Sequence, residues 1–534
     1  MSELDAIFAG PIPPEFEQPD YELADAYLIG GEIKRWDGPT TPVLSVVCEP
    51  DGEGGLTRRV IGHAAELDAD CARAALAAAC AAWDRGRGEW PRMRLAQRAE
   101  AVRAFAARMR TKRDEVVRLL MWEIGKTLGD ARKEFDRTLE YIDDTLAAIS
   151  PYTEGDMRCE GGVVAQVRRS PIGVCLCMGP FNYPLNENFT TLIPALLMGN
   201  TAVVKLPKFG QLSNLPLLED FAACFPPGVV NVLQGDGATL VGPLMQSGLI
   251  DVFAFIGSSR VAGIIEKQHP APYRLHSVLG MDAKNPAIVL ESANLDLAVD
   301  QVLQGSLSFN GQRCTALKLI FVHRSLADAF VERLAAQVDA LVPGLMWQSG
   351  VSLTPLPEPH KAQTLDAMVQ DAVRKGARVV NARGGQHLET FYFPAVLYPV
   401  AEHAVLYDLE QFGPLVPVVP FDDPSEVWEA ISASSYGQQV SVFGEDPDEV
   451  GTTVDALANQ VCRINVNRQC QRGPDTFPFA GRKNSAIQTL SVTEALEVFS
   501  IPLVVAASDV GPQRALFEQL KDTDASRVVR GESG

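Results

Sequence analysis

Between residues 172 and 280, short apolar runs alternate with amphipathic stretches. Segments 173–178, 201–206, 229–234 and 252–256 have the length and apolar character of buried strands. Segments 185–197, 214–224 and 239–245 between them carry helical spacing. Strands separated by helices predict a parallel sheet whose ligands gather beyond the carboxyl ends of its strands, the arrangement of a nucleotide-binding domain. Upstream, Ala74, Ala75, Ala78, Ala79 and Ala82, and then Ala101, Phe105 and Met109, recur at helical intervals, so 64–149 reads as stacked helices with a break at Trp90-Pro91. Residues 1–60 are rich in Pro and Gly, and 43–48 is their one clear strand, so they read as an irregular arm with an edge hairpin. Segment 161–169 alternates weakly and reads as an exposed strand that pairing with another subunit would protect. After Ala506 the chain turns polar, a short helix and a frayed tail.

A chain of 534 residues exceeds one ordinary core. Its 47 Lys+Arg against 67 Asp+Glu give a net charge of −20, which argues against nucleic acid or an anionic membrane as partner. No run approaches the roughly 20 apolar residues of a membrane span, and the acidic first residues lack a basic leader, so a cytoplasmic protein is expected. The ten cysteines show no CxxC pair, and Cys175 and Cys177 fall in an apolar run, so reduced thiols without a metal site are expected.

Chemistry concentrates at Ser308-Phe309-Asn310-Gly311-Gln312-Arg313-Cys314-Thr315, a polar, Gly-containing turn that leads into an apolar strand at 317–322. A thiol at such a junction can meet a ligand while the strand holds its backbone, and Arg313 beside it would favour the thiolate. Gly235-Asp236-Gly237 followed by Gly242 carries half of a dinucleotide fingerprint. Phe255-Ile256-Gly257-Ser258-Ser259 runs from a strand into a helix and leaves backbone N–H groups, at Gly257 and Ser258, for a pyrophosphate.

The Cys314 segment resembles the nucleophile segment of the aldehyde dehydrogenase superfamily, and other motifs follow in the same order. Val203-Val204-Lys205-Leu206-Pro207-Lys208 is similar to its second cofactor strand, where the resemblance casts Lys205 at the adenosine ribose. Met178-Gly179-Pro180-Phe181-Asn182-Tyr183-Pro184 implies Asn182 as the side-chain half of an oxyanion hole, and Glu410-Gln411-Phe412-Gly413-Pro414 implies Glu410 at the nicotinamide ribose with Phe412 against the ring. Where NAD-preferring members carry a glutamate, this chain has Lys208, so NADP is expected over NAD, with NAD still possible. Cys470-Gln471-Arg472-Gly473-Pro474-Asp475, with Tyr183, Arg313 and the helix bearing Arg137, resembles the non-phosphorylating glyceraldehyde-3-phosphate dehydrogenases, in which matching residues grip a phosphate.

That resemblance implies an α/β aldehyde dehydrogenase fold. Its parts would be an N-terminal arm and helical part of the cofactor domain (1–152), a bridging strand (153–171), a Rossmann-like segment (172–280), a catalytic domain (281–495), a C-terminal bridging strand (496–515) and a tail (516–534). It also implies a homodimer or homotetramer acting on a small aldehyde through a Cys314 thioester. The superfamily's Glu-Leu-Gly-Gly-Lys segment is replaced by Ser277-Val278-Leu279-Gly280-Met281-Asp282-Ala283-Lys284. Aligning the Leu-Gly pairs puts Val278 at the general-base position and leaves Asp282, with Glu494 behind it, as a substitute base. Transfer of the acyl group to coenzyme A, or a non-catalytic scaffold, stays open as an alternative.

Overall fold

The computed structural model describes residues 4–529 except 19, 154 and 524. Five parallel strands form the centre of an eight-stranded sheet in the spatial order Val230–Leu233, Thr201–Lys205, Val174–Met178, Val252–Ile256, His276–Gly280. The first strand in sequence, Val174–Met178, lies in the middle of that order, and the chain winds outward from it in both directions. The switch point therefore falls between the ends at Met178 and Ile256, where a doubly wound sheet opens its ligand crevice. Helix Ala69–Trp83 covers one side. Its Ala72, Ala75 and Ala79 are fully buried, and their small size lets the Thr201 hydroxyl donate to the Ala79 carbonyl at 3.0 Å.

A second sheet of seven strands has the order Arg378–Val379, Ala395–Tyr398, Leu415–Phe421, Leu317–His323, Asn285–Val289, Gln439–Phe443, Arg463–Val466, all parallel but the first. Cys314 lies just before Leu317, at the amino end of a central strand. The carboxyl ends of one sheet thus face the amino end of the other across a common cavity. A third, antiparallel sheet joins Asp156–Glu160, Val163–Pro171 and Ser500–Ser508, with a nine-residue ladder from Pro171↔Ser500 to Val163↔Ser508.

The alternation at 172–280 translates into strands and helices with two local differences. Segment 214–224 begins as the 3-10 turn Gln211–Leu217 and becomes α-helical only at Leu218–Cys224, because Pro216 has no N–H for an α-helical bond. The arm holds more structure than expected. Ala26–Ile29 is fully buried and pairs with both Glu32–Arg35 and Val230–Leu233, extending the cofactor sheet. Gly30 and Gly31, at φ +64° and +83°, make its two-residue turn, a hairpin signal present in the sequence. At the other end the strand stops at Ser508 and helix Gly511–Asp522 follows, so the expected boundary at 515/516 falls inside a helix. The frayed end expected at 530–534 lies outside the described residues.

Helices Leu95–Arg110 and Leu128–Ala147 pack against Asn186–Leu197, and Arg113–Ile124 packs against Leu128–Ala147 and the turn Gln211–Leu217. Phe105, fully buried, stacks on Phe221 at 4.5 Å and on Phe189 at 5.8 Å. Phe105→Ala should cost about 3–5 kcal/mol of stability. Calorimetry should read this as a melting temperature several degrees lower; an unchanged transition would mean that the cluster repacks.

Candidate active site

A cavity of about 890 Å³ lies between the two main sheets. Of the candidate residues, Cys314, Asn182, Asp282, Lys205, Lys208, Gly257, Ser258, Glu410, Phe412, Arg137, Tyr183, Arg313 and Arg472 all line it. Gly235 does not. At φ +124° its missing Cβ would sit 3.1 Å from the Leu67 nitrogen, so close chain packing accounts for the glycine.

The nucleophile loop is held in an unusual conformation. After helix Leu295–Leu307 the chain passes through Phe309, Asn310 and Gly311 at φ +50°, +53° and +71°. Two non-glycine residues in the left-handed region are strained, and such strain persists only where the surroundings impose it. The Asn310 amide donates to the Thr354 carbonyl at 2.8 Å, and a Cβ on Gly311 would meet the Gly413 carbonyl oxygen at 2.7 Å. The Cys314 carbonyl accepts from Asn285 Nδ2 and from Lys318 Nζ, each at 2.8 Å.

Arg313 points away from the thiol, donating to the carbonyls of Gly305 (2.8 Å) and Gln304 (3.4 Å). Burial raises the Cys314 thiol above its ordinary value and Glu187 adds to the rise; Lys318 and Arg472 only partly offset it. The expectation that Arg313 favours a thiolate is therefore corrected: its guanidinium is spent on backbone carbonyls, and burial and Glu187 hold the thiol above its ordinary value.

Asn182 leaves the switch-point strand through the Pro180–Pro184 turn, and its Nδ2 donates to the Gln312 carbonyl at 2.8 Å, beside the nucleophile. Behind it, Glu134 accepts from the backbone N–H groups of Leu185 (3.1 Å) and Asn186 (3.2 Å) and pairs with the buried Lys126. The Lys126 ammonium sits 3.5 Å over the Tyr183 ring, whose edge meets Phe309. One buried ion pair thus ties the Asn182 turn to the nucleophile loop.

At the cofactor end, Ser258 Oγ accepts from the Val261 N–H and caps helix Ser259–Glu266. Asp282 lies at this helix start. Its Oδ2 accepts from Ser259 N (2.7 Å) and Ser259 Oγ (2.6 Å), so a carboxylate already takes one of the N–H groups of that turn. The cavity position at the end of the neighbouring strand is Gly280; Val278, two residues earlier, is fully buried in the core. The alignment that put Val278 at the base position is corrected accordingly: the wall there has no side chain. Glu494 accepts from the Ser491 hydroxyl at a helix start and does not line the cavity.

Lys205 is 6% exposed and makes neither a hydrogen bond nor a close ion pair among the described residues. Burial brings its ammonium down to about 8, with Asp236 opposing and Lys208 reinforcing the shift. A nearly buried cation without a partner, facing a cavity, suits an anionic or polyhydroxyl ligand. Glu410 pairs with Lys318 at 2.5 Å, and burial still raises its carboxyl. Phe412, at φ +41°, presents its ring to the edge of Phe181 at 5.7 Å.

At the other end, Arg137 binds Asp475 through Nε (2.9 Å) and Nη2 (2.8 Å). Arg472 is 6% exposed and fully engaged, with Glu187, with Asp475 at 3.2 Å and with the Leu490 carbonyl at 2.9 Å. Glu187, Lys318, Lys126 and Asn285 escaped the sequence reading. Lys318 left a signal, a lone charge inside the apolar run Leu317–Val322; Glu187 left one too, a lone acid in an otherwise uncharged helix.

The sequence profile of the aldehyde dehydrogenase family matches residues 53–502. The chain belongs to that family. It is an NAD(P)-dependent aldehyde oxidoreductase. An NADP-dependent glyceraldehyde-3-phosphate dehydrogenase of Streptococcus equinus is 32% identical over 422 residues, 77% of this chain and 86% of that protein. A 3,6-anhydro-alpha-L-galactose dehydrogenase of Streptomyces coelicolor is 30% identical over 393 residues, 72% of this chain and 79% of that protein. Among solved structures, the NADP-dependent glyceraldehyde-3-phosphate dehydrogenase of Bacillus halodurans, complexed with NADP, superposes with a TM-score of 0.82 at 27% identity, over 91% of this chain and 99% of that one.

Alkylation of Cys314 by iodoacetamide in the cofactor-free protein should keep accelerating beyond about pH 8.5, the ordinary thiol value. Glu187→Gln should move that curve to lower pH, because the variant removes a negative charge that raises the thiol. A curve that levels off near pH 6 would show a resting thiolate.

Proposed function

We propose that this aldehyde dehydrogenase uses NADP and oxidises a short phosphorylated aldehyde of the glyceraldehyde 3-phosphate type to its acid, with Cys314 as nucleophile. The observation that carries the anionic substrate is Arg313 Nε, a buried cationic donor without a hydrogen-bond partner among the described residues, on a residue that lines the cavity. Lys133, Arg137 and Arg472 line the same cavity. A phosphate at Arg137 has to displace Asp475, so that acid acts as an internal stand-in that keeps the guanidinium aligned until substrate arrives.

The donor set fits the dinucleotide. Lys205 and Lys208 would supply two cations for a ribose 2′-phosphate, Ser258 at the helix start would meet the pyrophosphate, and Glu410 and Phe412 would line the nicotinamide half. When bound, NADP accepts the hydride from the oxidised carbon. Cys314 Sγ adds to the aldehyde carbon once its proton has left, and the developing oxyanion is met by Asn182 Nδ2 and the Cys314 N–H. Lys318 holds the Cys314 carbonyl, anchoring the backbone on the strand side of the nucleophile.

The bridging sheet supports an oligomer: Ile501, Leu503 and Val504, with Met157 and Val163, are exposed large apolar residues on its strands. A homodimer or homotetramer buries them, and light scattering at micromolar concentration should give at least a dimer. No described helix is long and apolar enough to cross a membrane.

Cys314→Ala should abolish turnover and leave NADP binding nearly intact; residual dehydrogenase activity would sink the thioester route. Arg137→Ala should raise KM for a phosphorylated aldehyde about tenfold or more, the loss of one charge-assisted contact, and change KM for an unphosphorylated one little. Equal effects on both would reopen the substrate. Lys208→Glu should reverse the preference for NADP over NAD in kcat/KM, and a parent enzyme that favours NAD would remove Lys208 from that role.

A further inference from the structure

Gly280, where the cavity wall meets the end of its strand, has no side chain, so the water that cleaves the thioester needs a proton acceptor from elsewhere. The carboxylates lining the cavity are Asp130, Glu134, Glu187, Asp282, Glu358 and Glu410. Glu134 is spent on Lys126 and two backbone N–H groups, and Glu358 pairs with Lys361. Asp130 accepts from the Thr127 hydroxyl at the start of its own helix. Asp282 is drawn to Ser259 at the cofactor end, and Glu410 is held by Lys318.

Glu187 differs in place and in coordination. It stands in the first turn of helix Asn186–Leu197, directly after the Asn182 turn, with its N–H bonded to the Tyr183 carbonyl at 3.1 Å. Arg472 and the Thr190 hydroxyl both engage Oε2, while Oε1 has no hydrogen-bond partner among the described residues. Next to it, Asn186 is 1% exposed and lines the same cavity, and its Nδ2 donor also lacks a partner among the described residues. A free carboxylate oxygen and a free amide donor on adjacent residues give a water one acceptor and one donor. Glu187 is also the charge that most raises the Cys314 thiol, and both residues line the one cavity.

We propose that Glu187 is the general base of deacylation in this enzyme. Its Oε1 takes a proton from water, the water oxygen bonds to the thioester carbon, and the collapsing adduct expels Cys314 Sγ with the C–S electron pair. The acid product gives its remaining proton to the departing Sγ, restoring the thiol, and leaves as its carboxylate, while Glu187 returns its proton to solvent. Arg472 holds the other carboxylate oxygen and sets its direction, a positioning role. This rests on the thioester route and is independent of which aldehyde the enzyme takes.

Pre-steady-state mixing of the holoenzyme with aldehyde separates the two ideas. Glu187→Gln should give a burst of about one NADPH per site and then a steady state slowed about 100-fold or more. Hydroxylamine, a nucleophile that needs no base, should restore its turnover, and the acid limb of the parent's steady-state pH profile should vanish. Normal steady-state turnover in Glu187→Gln would overturn the assignment. So would equal loss of burst and turnover, or the burst-and-stall pattern appearing in Asp282→Asn or Glu410→Gln instead. Should Glu187→Gln fail to fold, Glu187→Asp keeps the charge and is read the same way, with an unchanged burst amplitude and a slower steady state. A parent enzyme that never accumulates a Cys314 acyl adduct would refute the thioester route itself.

Discussion

A single buried ammonium ties the two halves of the catalytic cavity together. Lys318 is 1% exposed and bonds at once to the Glu410 carboxylate and to the Cys314 carbonyl. A charge so placed is tolerated only while its partners remain, because losing one leaves an unpaired ion in a low-dielectric interior. The nicotinamide end and the nucleophile are therefore coupled mechanically, through one side chain on a central strand. Lys284 repeats the device one strand over, donating to the Leu409 carbonyl and Gln411 Oε1 and so fixing the segment that carries Glu410.

The same economy runs through the substrate end. Arg137 and Arg472 share Asp475, and Arg472 also binds Glu187. Two cations and two anions cancel locally, so a site lined with guanidiniums stays folded without ligand. Balance of this kind lets a cavity be highly charged in detail and nearly neutral in sum, and ligand exchange there trades one ion pair for another.

Local chemistry in the chain announced most of this. Alternating runs foretold the parallel sheet, because buried strands must be apolar and the helices between them amphipathic. The Cys314, Asn182 and Glu410 motifs are contiguous and could be read in a few residues each. Other features depended on distance. Nothing near Arg472 reveals that its partner is Glu187, 285 residues away, or that Asp475 would also claim Arg137. Asp282 was a candidate base only because it was the nearest acid in sequence; the turn that carries it faces Ser259 instead. Gly235 looked like a phosphate turn, whereas the neighbouring backbone is what excludes a side chain there. The Ala26–Ile29 strand was missed because four residues are too few to show a period, although Gly30-Gly31 marked its turn.

The ladder between Val163–Pro171 and Ser500–Ser508 bears on how the protein is made. Arg169 reaches the Ser500 hydroxyl from 331 residues away in sequence. At typical synthesis rates of about 5–20 residues per second, the inner strand waits roughly twenty to sixty seconds on the ribosome before its partner is synthesised. During that interval one side of Val163–Pro171 offers unpaired backbone groups to any extended chain nearby. Stopping translation short of residue 500 should thus leave a nascent chain whose two large sheets can form but whose bridging strand is open, the species that chaperones would have to shield.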